Sequence, residues 1–135
     1  MIRKHEILTT EERAKLLDAL HCIRKTVQWK QGKDILHLKK RQKMNHLPLS
    51  ASLVDYNKII STLIGNERNI IYLYEFRGMY YYAVRGFIHE KEWLATFGAN
   101  AVMETAFPPE NIDYYLERRG FVLLGRMKEV LKWTE

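Results

Sequence analysis

The chain predicts an α+β fold: N-terminal helices packed on a four-stranded antiparallel β-meander, followed by a short C-terminal helical segment. Three observations predict it. Apolar residues recur at three-and-four spacing through the first half of the chain. From Asn69 to Pro108 the pattern changes to short aromatic and β-branched runs. Those runs are divided by glycine-bearing turns, as in hairpins. Residues 1–135 read as one domain, long enough for a single core.

The first helix opens at Thr9-Thr10-Glu11-Glu12, where Thr9 and Glu12 have capping-box spacing. Leu16, Leu17, Leu20, Ile23 and Val27 then form one apolar stripe. Residues 29–33 are a break containing Gly32. Residues 34–43 are ambiguous: Asp34 caps a short helix, or Ile35-Leu36-His37-Leu38 is extended. Ser50-Ala51-Ser52, after Pro48, starts another helix with the stripe Leu53, Tyr56, Ile60, Leu63 and Ile64. Gly65 offers it a left-handed stop. Strands are expected over residues 70–76 and 79–84, turned at Arg77-Gly78, with Arg85-Gly86 ending the second. Two more are expected over residues 92–97 and 101–107, turned at Gly98-Ala99-Asn100. Pro109 suits the first turn of a helix that Gly120 stops. Residues 121–124 are a candidate short strand, and residues 126–133 have weak helical periodicity. The helices are expected on one face of the sheet, with the other face available.

Composition narrows the function classes. Apolar residues at 47% and charged residues at 28% are ordinary for a globular protein. No stretch approaches the roughly 18 apolar residues of a membrane span. No charged start followed by an apolar run marks a secretory leader, so the expected location is cytoplasmic, with no membrane partner. The single Cys22 suits a reducing compartment. The net charge of +6 favours an anionic partner, either nucleic acid or an acidic protein.

His5, His21, His37, His46 and His89 show no metal-ligand spacing, and there is no cysteine pair, so no metal is expected. There is no glycine-rich phosphate loop and no Gly-x-Ser-x-Gly elbow, so no nucleotide cofactor or serine-hydrolase chemistry is expected either. Acid–base chemistry without a cofactor remains, and RNA cleavage can be done that way. A base deprotonates the ribose 2′-hydroxyl, an acid protonates the leaving oxygen, and cations stabilise the phosphorane.

His37 is the best candidate for a proton role, because imidazole titrates near neutrality. It heads the basic run His37-Leu38-Lys39-Lys40-Arg41-Gln42-Lys43-Met44-Asn45-His46. The ordinary reading of such a run is a solvated basic segment. On the sheet, Arg77, Tyr80, Tyr82, Arg85 and Thr105 are the polar candidates for substrate contacts. Tyr80 and Tyr82 share one strand face and Tyr81 takes the other. Tyrosines on a sheet face can stack bases, although half-buried packing is their commoner role. Glu104 and Thr105 project to opposite faces.

The order of these elements resembles the metal-independent ribonuclease superfamily that includes barnase, EndoU, colicin D and RelE, especially its phage- and toxin-associated members. The resemblance lies in His37-Leu38-Lys39-Lys40-Arg41 before a helix and Thr105-Ala106-Phe107-Pro108 at the end of the last strand. It covers residues 34–109. Many such members place a second His directly after the basic pair, where Gln42 stands here. The resemblance implies an endoribonuclease, in some members a toxin held by an antitoxin. It implies His37 as general base or acid, Lys39 or Lys40 at the phosphate, and Thr105 holding the phosphate or orienting the imidazole. Arg41, Arg77, Tyr80, Tyr82 and Arg85 would bind the RNA. The alternatives are a non-catalytic nucleic-acid- or protein-binding module of the same fold, and a protein that pairs through a tyrosine-rich face.

Overall fold

The computed structural model of the chain describes residues 8–133. Three helices come first: α1 (Thr10–Lys25), α2 (Lys33–Lys43) and α3 (Leu53–Gly65). Four strands follow in succession: β1 (Ile70–Phe76), β2 (Met79–Ile88), β3 (Lys91–Gly98) and β4 (Met103–Phe107). Then come α4 (Ile112–Arg119), β5 (Val122–Arg126) and the short α5 (Met127–Val130). The strands form one antiparallel sheet in the order β4-β3-β2-β1-β5.

The α+β class and the β1–β4 meander agree with the sequence reading, but the sheet has a fifth strand. β5 pairs with β1, from Ile70 opposite Arg126 to Leu73 opposite Val122. The candidate short strand over residues 121–124 is thus present, over Val122–Arg126, but its partner is β1, so no local hairpin signal places it in the sheet.

The ends of the elements have local causes. The Thr9 hydroxyl accepts from the Glu12 N–H at 3.1 Å and the Glu12 carboxylate accepts from the Thr9 N–H at 2.8 Å. Ser52 and Asp55 do the same for α3, at 3.1 and 2.9 Å. Such caps are each worth about 1 kcal/mol. Gly120 ends α4 in the left-handed conformation, with φ 77°. Gly65 does not use that freedom: α3 stops because Asn66 turns extended, with φ −85° and ψ 112°. Pro109 lies outside α4, which is capped by the Asn111 side chain accepting from the Tyr114 N–H. β2 runs past Arg85-Gly86 to Ile88, because Gly86 and Phe87 still pair with Trp93 and Glu92 of β3. β4 begins only at Met103, since Ala101 sits in the turn with φ 64°.

The two sheet faces are covered unequally. On the inner face, Ile71, Leu73, Tyr82, Val84 and Phe97 meet Leu16, Leu20 and Ile23 of α1 and Tyr56, Ile60 and Leu63 of α3 in one buried core. Each such side chain contributes roughly 1.5–3 kcal/mol on burial. The outer face is not fully open, as the sequence had suggested. Ile112 and Leu116 of α4 bury a second, smaller cluster with Tyr72, Ala83 and Leu94. At the β4 edge, α2 packs alongside, and Trp29 forms a parallel bridge with Met103.

Gly86 sits where helix and sheet are tied together. The Asn69 carboxamide lies against it and donates to the Leu63 carbonyl at 2.8 Å, joining the head of β1 to the end of α3. A Cβ at position 86 would collide with that carboxamide. Gly86→Ala is expected to lower the unfolding free energy by about 1–3 kcal/mol. Urea denaturation checks this, and adding Asn69→Ala should relieve part of the loss. A wild-type midpoint in Gly86→Ala would refute the close approach.

Candidate nucleic-acid interface

The basic run is helical. Gly32 turns the chain into α2 in the left-handed conformation, with φ 84°, and Lys40, Arg41 and Lys43 crowd the last turn, where cations favour the helix dipole. Leu38 and Arg41 are buried and Asp34 and His37 half-buried, so these four mark the packed side of the helix. Lys33, Lys39, Lys40 and Lys43 are exposed, and none forms an ion pair among the described residues.

Arg41 points inward and is 3% exposed. Its guanidinium lies 5.2 Å from the Phe107 ring centre. Its Nη1 is 3.0 Å from His46 Nδ1. A guanidinium only donates, so Nδ1 of His46 accepts and the neutral ring carries its proton on Nε2. Among the described residues, Arg41 Nε has no hydrogen-bond partner and the guanidinium forms no ion pair. His37 packs on the Trp29 ring at 5.2 Å between centroids, with Nδ1 buried and unpartnered. Trp29 in turn meets Tyr56, whose hydroxyl donates to the Ala106 carbonyl at 2.6 Å. Burial, reinforced by Arg41, Lys40 and Lys33, holds the His37 imidazole below its ordinary pKa. Burial, then Arg41 and Lys91, does the same to His46, with Glu110 opposing.

The site expected from the sequence is assembled only in part. Lys40 stands one turn from His37 on the same helix and acts on its charge, whereas Lys39, two residues on, points to another side. Thr105 lies on β4 opposite Thr96, and its hydroxyl makes no hydrogen bond. Tyr82 is 1% exposed in the inner core, where burial pushes its phenol up to about 12, so it presents no ring to a base. Tyr80 shares that face, and a hydrogen bond to the Glu12 carboxylate raises its pKa. Arg85 is fully engaged. It donates to both Glu92 carboxylate oxygens at 2.8 and 3.1 Å, to Asp113 at 2.9 Å and to the Tyr72 hydroxyl at 3.3 Å. Arg77 is exposed at the β1–β2 turn with φ 52°, its guanidinium 5.0 Å from the Phe76 ring centre.

The aromatic surface is on the other face from the one sequence reasoning chose. Tyr74 and Tyr81 oppose each other in register on the outer face, with ring centroids 6.2 Å apart. Tyr74 also stacks on Phe121 at 4.7 Å and lies 6.0 Å from Phe76. Tyr115 of α4 meets Phe121 at 6.1 Å and carries the Arg119 guanidinium at 4.6 Å. Phe76 is 46% exposed. A signal for the correct face was present in β2. Tyr81, Ala83, Arg85 and Phe87 alternate with Tyr82, Val84 and Ile88, and the set carrying an arginine is the less buried one.

Two open clefts exist elsewhere. One, of about 860 Å³, lies between α1 and the β1–β2 and β3–β4 turns and is lined by Glu12, Trp29, Tyr80 and Glu104 among others. The other, of about 590 Å³, includes His46, Lys91 and Glu110. His37, Lys39, Lys40 and Thr105 line neither. Among the described residues, no helix is long and apolar enough to cross a membrane, and no group of three or more His, Cys, Asp or Glu side chains is placed to hold a metal ion. Comparison with protein-family models, curated proteins and solved structures finds no match to this chain.

The two inward-held imidazoles set a pH dependence. Folding lowers both pKa values, so the unfolded chain binds more protons just below the ordinary imidazole value of 6.5. Their contribution is therefore complete above about pH 6.5 and is lost as pH falls toward the folded values. The urea midpoint should drop between about pH 7.5 and about pH 5.5, ahead of the carboxylate range. His46→Gln keeps an acceptor for Arg41 without titrating, and should flatten part of that drop. An unaltered pH profile in His46→Gln would remove His46 from the account.

Proposed function

We propose that this protein is a nucleic-acid-binding module whose cationic helix α2 attaches it to RNA. The observation that carries the reading is the set of four exposed lysines on one helix, Lys33, Lys39, Lys40 and Lys43, none of which forms an ion pair among the described residues. A chain of net charge +6 that leaves these cations unpaired has a standing attraction for phosphates. Arg41 fixes the helix against Phe107 rather than contacting the ligand. A cytoplasmic setting accords with this reading, as Cys22 is a free, exposed thiol.

Binding should therefore depend steeply on salt. Replacing Lys39, Lys40 and Lys43 together by alanine should weaken affinity for all RNA sequences alike. It should also reduce the slope of log K against log salt by roughly 2, at about 0.7 per single-strand phosphate contact. Fluorescence anisotropy across a salt series measures both. An unchanged slope would show that α2 is not the phosphate-contacting surface.

A second reading, a metal-independent endoribonuclease of the toxin type with an antitoxin partner, is favoured by one observation. His37 is held neutral with Lys40 and Arg41 at its side, the state a general base needs near a phosphate. This reading expects RNA cleavage that resists EDTA and falls by at least about 100-fold in His37→Ala, the range typical of a lost proton-transfer group. Equal cleavage by the variant would end the assignment of His37. Absence of cleavage by wild-type protein that binds RNA would leave the binding module.

A further inference from the structure

The outer face of the sheet carries a feature that charge alone does not require. At the end toward the β1–β2 turn, Tyr74, Phe76 and Tyr81 form a contiguous aromatic surface, continued by Phe121 and Tyr115. α4 does not bury it in the way it buries Tyr72, Ala83 and Leu94. Phe76 is 46% exposed, and Tyr74 and Tyr81 are half-buried.

The polar groups at its rim are cations. Arg77 lies over the Phe76 ring at 5.0 Å, and Arg119 over the Tyr115 ring at 4.6 Å. Among the described residues, neither arginine forms an ion pair. The only carboxylate pairing on this face among the described residues, Arg85 with Glu92 and Asp113, stands at the opposite end of the strands. Stacking rings flanked by unpaired guanidinium groups match a ligand with flat π-faces strung on an anionic backbone. The exposed lysines of α2 lie apart from the aromatic surface, at the β4 edge of the sheet, two strands beyond β2. A duplex hides the faces of its bases by stacking them on one another, while a single strand exposes them.

We infer that the Tyr74–Phe76–Tyr81 surface is a stacking platform for single-stranded RNA, with Arg77 and Arg119 meeting the phosphates at its two sides. This rests on the nucleic-acid reading above and adds strand selectivity to it. The lysines of α2 supply attraction to either kind of strand, and the aromatic surface distinguishes them.

The test compares an unstructured, labelled oligoribonucleotide with a hairpin duplex of equal length, at one salt concentration and across a salt series. Phe76→Ala and Tyr81→Ala should each weaken single-strand binding roughly tenfold, leave duplex binding unchanged and leave the salt slope unchanged. Phe76→Leu keeps an apolar side chain but removes the π-face, and should behave like Phe76→Ala. Circular dichroism confirms that each variant is folded. Phe76 is the primary position because its exposure makes its replacement the least disruptive.

Equal loss on both strands, or no loss on the single strand, overturns the platform. So does a wild-type dimer in sedimentation that Phe76→Ala dissociates without changing RNA affinity, because the face would then be covered by a second copy of the chain. Wild-type protein that binds both strands equally and with steep salt dependence would sink the platform and leave the α2 reading standing. Wild-type protein that binds neither would overturn both.

Discussion

Arg85 is the point at which three strands and a helix are held to one another. From β2 it bonds Glu92 of β3, Tyr72 of β1 and Asp113 of α4. The two bonds to Glu92 are a fork on a carboxylate, the strongest form of such a pair, and they raise the guanidinium pKa further above its ordinary value. Asp113 is in the first turn of α4, just after the Asn111 cap, so the contact ties the start of the helix to β2. With eight residues, α4 reaches about 12 Å at 1.5 Å per residue. Five strands span about 19 Å at 4.8 Å each. The helix is too short to cover the whole face: Ile112 and Leu116 bury Tyr72, Ala83 and Leu94, while Tyr74 and Tyr81 stay half-buried. The Arg85 cluster and the open aromatic surface thus stand at opposite ends of β1 and β2.

Much of the fold was legible because its signals are local. The Thr9–Glu12 and Ser52–Asp55 caps, the stripes of α1 and α3 and the Arg77-Gly78 turn are each read within a few residues. The failures are nonlocal. A short strand was expected over residues 121–124, but its pairing with β1 was not, nor was the second layer that α4 makes with Tyr72, Ala83 and Leu94; none of these partners is near in sequence. The end of β2 was misplaced because Arg85-Gly86 looks like a turn. The glycine is there for the Asn69 carboxamide and the arginine for Glu92.

The site was less legible than the fold. Alternation correctly grouped Tyr80 with Tyr82 against Tyr81, but it does not say which group is inside. The answer lies in the neighbouring strands: Ile71 and Leu73 share the face of Tyr82, while Tyr74 and Phe76 share that of Tyr81. Aliphatic residues meeting two helices define the core. Aromatic residues meeting arginines define the rim. Composition of a single strand could not supply that, whereas composition of two paired strands does.

The basic run divides by side-chain chemistry. Arg41 is buried without an anion, an arrangement a lysine would tolerate poorly. An ammonium is a compact, strongly hydrated charge, and desolvating it leaves three donors to satisfy. A guanidinium is planar and weakly hydrated, so it can lie against Phe107 and give one bond to His46. Burial still lowers its pKa, but from so high a value that it stays charged at neutral pH. That internal cation has two consequences. It adds to the burial that already lowers the pKa values of His37 and His46. It also presses α2 onto the β4 edge through Phe107, so the lysines that remain face solvent from a fixed element. Positive charge on a fixed helix beside a sheet edge is held in one location, which charge on a loose loop would not be.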